Sequence, residues 1–316
     1  MAFDFGNLFG GSGDTFFGAI ERFAVQADQW LQEAFTASNV DDSWWAAVLG
    51  TPSNNGLLAA WMPVLAPILV LLVAIQVVMS AFRGSTLGMV RALAAAVFAI
   101  PATYIMVWVV QMFTAAMDEV AAYILKTGQD QNMSVFMKIF GIKITDGKLT
   151  GLQDNYFMWD GVMDKSGGWV LIVPLILMFV VWLLSVILAF VMSLRAMAII
   201  ILATMAGWAV VSLSLDVTKS TFSAWLKIIV GLGLSKPFAA GLIVLSSTVF
   251  NYADSGMQFA AGLAGLVLSI AMPFAAVQLV SFTAVGSVGA TDRALGQAAS
   301  GPVRAGSAGL RRLRRK

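Results

Sequence analysis

The chain has 316 residues, 59% of them hydrophobic and 11% charged, with a mean hydropathy of +0.85. Soluble domains average about 45–50% apolar and about 25% charged, so this composition excludes a water-soluble globule and predicts an all-α polytopic membrane protein. There is no histidine and no cysteine, which excludes disulfides, thiol nucleophiles, Cys/His zinc sites, haem ligation by either residue, and Ser-His-Asp or Cys-His catalysis.

In chain order, residues 1–56 read as an extracytoplasmic N-terminal segment. No signal peptide is expected, because residues 1–20 lack a basic n-region and a compact apolar core. Phe16, Ile20, Phe23, Ala27, Trp30, Leu31 and Phe35 recur at helical spacing. They predict an amphipathic helix on the outer interface, anchored further by Trp44 and Trp45. An ordinary packing helix on an outer domain is the plainer reading.

A bilayer core of ~30 Å needs ~20 apolar residues in a helix. Charge-free runs place spans near 57–82, 92–117, 169–194 and 257–284. Residues 57–117 make a first two-span unit, and 168–285 a second membrane bundle. Within the second, 196–215 is long enough to cross, whereas 222–250 is interrupted by Lys227 and by Lys236-Pro237.

Lys and Arg collect in cytoplasmic loops, so charge selects among topologies. Residues 1–42 hold seven acids against Arg22 alone, and 118–165 hold seven acids against five lysines. Both segments are expected outside. Arg83 and Arg91 mark an inner turn, Arg195 an inner position, and the terminal RRLRRK an inner tail. Parity holds if 196–215 is a re-entrant element bent near Gly207, with Lys219, Lys227 and Lys236 cytoplasmic. An extra break inside 222–250 also restores it. The expectation is about five transmembrane helices plus a re-entrant or broken element, N-terminus outside and C-terminus inside.

Between the two membrane units, residues 118–167 form an extracytoplasmic loop too long and too aromatic for a bare connector. MSVFMKIF predicts a short helix, and Asp146-Gly147 between alternating apolar positions predicts a hairpin. Phe157 and Trp159 are its candidate contacts for a partner, since wet aromatics are costly. Asp154, Asp160 and Asp164 do not fit a calcium loop, because Tyr156 and Met158 stand where ligands belong. GLGLSK at 231–236 lacks the spacing and ending of a phosphate loop. No metal, cofactor or catalytic constellation is found, and an enzyme is not expected.

Gly262 and Gly265, with Gly231, Gly233 and Gly241 earlier, allow close helix approach within one subunit or between subunits of a homo-oligomer. Gln76, Gln111, Gln258 and Gln278 are the strongest polar groups of the charge-free spans. With no ionisable group there, proton-coupled transport is disfavoured. The tail 286–316 is rich in Gly, Ala and Ser and ends with Arg311, Arg312, Arg314 and Arg315. It reads as a flexible extension that fixes topology and meets anionic lipid.

An outer N-terminal segment, two spans joined by the Arg-bearing turn of GMVRALAAAVFAIPATYIMVWVV, a structured outer loop, a second cluster of spans and a basic inner tail follow in order. This layout resembles the TrbL-like family, polytopic inner-membrane subunits of type IV secretion and conjugation systems. The resemblance is one of layout, with no short motif from which to transfer a residue's role. It implies a ring-forming subunit that helps form the path for DNA or protein, beside other machine subunits and cytoplasmic ATPases. A small-solute channel or transporter, and a membrane assembly or immunity factor, remain the alternatives.

Overall fold

A computed structural model of the chain describes residues 15–51, 53–84, 86–128, 137–145, 148–152, 172–215, 218–253 and 255–280. Phe157, Trp159, Asp154, Asp160, Asp164, Arg311, Arg312, Arg314 and Arg315 lie outside them. Helix α1 (Thr15–Thr36) is followed by α2 (Asp42–Leu49) and a small ribbon of β1 (Gly50–Thr51) and β2 (Asn54–Asn55). Next come α3 (Leu57–Phe82) and α4 (Thr86–Thr127). A one-turn helix α5 (Met137–Phe140) leads to the antiparallel pair β3 (Ile142–Thr145) and β4 (Lys148–Leu152). The second membrane unit holds α6 (Ile172–Thr204), the short α7 (Ala206–Val211), a 3-10 turn (Ser212–Ser214), α8 (Lys219–Asn251) and α9 (Gly256–Val280).

Among the described residues, five helices are long and apolar enough to cross a bilayer: α3, α4, α6, α8 and α9. The chain is therefore an all-α polytopic membrane protein. The two ribbons are its only β-structure among the described residues.

Three expectations need correcting. First, 196–215 is not an independent re-entrant element. Helix α6 runs unbroken through Arg195 to Thr204, so 196–204 continues the helix of the third apolar run. The break comes at Met205, and only α7 and the 3-10 turn follow before α8. Second, α8 is continuous through Lys227 and Lys236-Pro237. Third, α1 does not lay its apolar face on a membrane surface. Ala24, Ala27, Leu31, Ala34 and Phe35 are buried against the bundle, and Phe23 meets Trp182 of α6 edge to face. Trp45 is likewise in the core rather than at an interface. A helical stripe facing protein and one facing lipid look the same in a sequence, and the tertiary partner decides between them.

Strands β3 and β4 pair antiparallel, with Ile144 opposite Leu149 and Thr145 opposite Lys148, and the expected turn residues Asp146 and Gly147 lie outside the described residues. Ile139 and Phe140 of α5 are fully buried and pack into the bundle core beside α1 and α6 residues. This part of the loop anchors itself in its own chain.

Gly207 fixes the height of α7. It lies against Leu65 of α3 and Thr103 of α4. From Thr103, the start of α4 at Thr86 is ~25 Å away and Asp118 is ~22 Å in the opposite direction, at ~1.5 Å per residue. The α3–α4 hairpin therefore continues well past α7, turning at Gly84, whose φ of +63° is left-handed. Along this projection Val70, Leu71, Phe82, Val90, Val97 and Phe98 are all exposed, Phe82 at 89%. Such a surface suits hydrocarbon and is unstable in water.

Candidate functional site: a buried charge cluster

Three helices bring ionisable side chains to one point: Asp118 on α4, Arg195 on α6 and Lys236 on α8. Lys236 Nζ lies 2.9 Å from Asp118 Oδ1, and Arg195 Nη2 lies 3.8 Å from the same oxygen. The Arg195 and Lys236 side chains are 0% and 1% exposed, and that of Asp118 is 11% exposed. The Lys236 contact is one of charge and distance rather than an aligned hydrogen bond.

Local sequence explains how α8 receives a guanidinium. Pro237 has no N–H, so the carbonyl four residues back, on Gly233, loses its helical donor. Arg195 Nη2 donates to that oxygen at 3.5 Å, and Nε donates to Leu232 O at 2.7 Å. Leu232 O also accepts from the Ser235 hydroxyl at 2.6 Å. Gly233 contributes by its missing side chain, since a Cβ there would strike the Phe113 ring of α4. Arg195 Nη1 is buried with no hydrogen-bond partner. Lys236 Nζ donates in addition to Asn39 Oδ1, in the connection between α1 and α2.

The cluster thus ties the N-terminal segment to α4, α6 and α8, with two cations sharing one carboxylate. Buried ions are tolerated only when paired and hydrogen-bonded. In a membrane bundle they mark functional positions by default.

These residues were expected elsewhere. Arg195 and Lys236 read as cytoplasmic and Asp118 as the edge of an outer loop, yet all three lie within continuous helices. The long apolar helices therefore do hold ionisable groups, contrary to the expectation from the charge-free runs. Lys227, by contrast, is half-buried near the start of α8.

Gly262 and Gly265 are placed at the α8–α9 contact. A Cβ on Gly262 would lie 2.8 Å from Phe250 ring carbons, and one on Gly265 would strike the Ser246 hydroxyl. Gly231 is closer still to backbone, with a Cβ 2.7 Å from Val277 Cα, whereas Gly241 faces open space. Gln76 is buried on α3, and Gln258 and Gln278 are exposed. Compared with protein-family models, with curated proteins and with solved structures, the chain matches none.

Proposed function

We propose that this protein is an inner-membrane channel or scaffold subunit of a type IV secretion or conjugation apparatus, helping form the path for DNA or protein substrates. The α3–α4 hairpin supports this reading most directly. It extends beyond α7 with apolar side chains exposed on both helices, and a subunit embedded in lipid and packed beside copies of itself needs such a surface. Neighbouring machine subunits, among them cytoplasmic ATPases, would then meet the inner face and the basic tail.

A small-solute transporter is the second reading, and the buried Asp118–Arg195–Lys236 cluster favours it. The deciding experiment is purification of the intact protein in mild detergent, followed by mass spectrometry of what accompanies it. A secretion ATPase in stoichiometric yield supports the first reading. Its consistent absence, together with ion-dependent solute uptake into proteoliposomes, overturns it.

The same proposal orients the chain in a bacterial cytoplasmic membrane, N-terminus outside and C-terminus inside. Single cysteines near Ser38 (at exposed Ala37, since Ser38 itself is buried), Gly151 and Ser255 should label from outside, and those near Ser85, Ser220 and Ser307 only from inside. Outside labelling at Ser220 would overturn the placement of the α6–α8 connection.

A further inference from the structure

We propose that Asp118 is the shared counter-ion of a two-position switch, held by Lys236 in this structure and able to pass to Arg195. The inference is independent of what the protein transports.

Four observations lead to it. One carboxylate oxygen faces two buried cations, at 2.9 Å and 3.8 Å, so only one cation is in close contact with it. A fixed structural pair would need only one of them. Next, the more distant cation is incompletely satisfied: Arg195 Nη1 is buried without a partner and Nη2 has only a 3.5 Å contact to Gly233 O. A buried donor left unmade is costly, which drives the guanidinium toward an ionised acceptor.

The third observation is that each cation also holds a neutral partner alongside Asp118, which stays with it if Asp118 moves. For Arg195 this is the carbonyl pair of Leu232 and Gly233. For Lys236 it is Asn39 Oδ1. Neither state therefore strands a cation completely, which permits exchange between them. Finally, the exchange has something to move. Asn39 belongs to the α1–α2 connection and the carbonyls belong to α8 beside Pro237, where the helix has lost a backbone hydrogen bond. Transfer of Asp118 from Lys236 to Arg195 draws α4 toward α6 and leaves Lys236 to the N-terminal segment. The switch couples that segment to the membrane bundle.

The test uses the full-length protein in nanodiscs and the set Arg195→Met, Lys236→Met, the double variant, and the double variant with Asp118→Asn. In a switch the remaining cation takes over the carboxylate, so each single change is mild. The double change strands Asp118, and its loss of folded protein should exceed the product of the single losses by on the order of tenfold. Asp118→Asn should restore most of it. Spin labels on exposed Ala37 and Ser223 give the conformational readout. Wild type should populate two distances, Lys236→Met only one of them, and Arg195→Met only the other. Multiplicative single losses, failure of Asp118→Asn to rescue the double variant, or the same distance distribution in both single variants would each overturn the switch.

Discussion

Asp118→Ala should be the most damaging single substitution in the membrane bundle. It leaves Arg195 and Lys236 buried at 0% and 1% side-chain exposure with no anion between them. Removing one member of a buried ionic group costs about 3–5 kcal/mol, because the charge left behind keeps its desolvation penalty. The carbonyls of Leu232 and Gly233 and the amide of Asn39 recover part of this, since they already accept from the two cations. The neighbouring acid supplies the control. Glu119 is exposed on the same helix, and Glu119→Ala should stay within about 0.5 kcal/mol of wild type. Thermal unfolding in one detergent, read by tryptophan fluorescence, compares the two. An Asp118→Ala protein as stable as the Glu119→Ala protein would mean that the carboxylate is not the counter-ion of this cluster.

The crossings are legible in the sequence because bilayer thickness translates directly into run length. The apolar runs of α3 and α9 need no tertiary information to be found. Parity of Lys and Arg likewise yields five crossings. The charge cluster is not legible by the same logic, because a charge between two apolar runs has two meanings. Arg83 ends a span and is exposed; Arg195 interrupts one and is buried.

What separates them is the partner, and Asp118 stands 77 positions before Arg195 in the chain. One local signal does exist. Between Pro174 and Gly207 the runs on either side of Arg195 are contiguous and apolar, with no Gly or Pro to turn the chain and only Ser185, Ser193 and Thr204 as further polar residues. A helix passing straight through the arginine is the simpler reading, and it makes a buried anion necessary. The N-terminal helix fails for a related reason, since its stripe specifies an apolar neighbour without specifying whether that neighbour is lipid or Trp182.

The glycines of α8 and α9 should separate sharply by what each faces. A Cβ at position 231 lies 2.7 Å from Val277 Cα and 3.0 Å from its amide nitrogen. Those are backbone atoms, and no rotamer change moves them away. Gly231→Ala should cost about 1–3 kcal/mol through forced separation of the two helices, and Gly231→Leu more. At position 262 the obstacle is the Phe250 ring, a side chain that can shift but that is itself buried against Phe259. Gly262→Ala should therefore fall between Gly231→Ala and neutrality. Gly241 meets nothing within 4 Å, so Gly241→Ala should be neutral or stabilising by up to about 1 kcal/mol through helix propensity alone. Thermal unfolding of the three alanine variants tests the order. Native mass measurement of Gly262→Leu and Gly265→Leu then asks which contact these two positions serve. Both substitutions should lower stability in proportion to the loss of the α8–α9 contact, with assembly following stability. A Gly262→Leu protein that keeps wild-type stability yet loses its oligomer would instead place that glycine between copies of the chain.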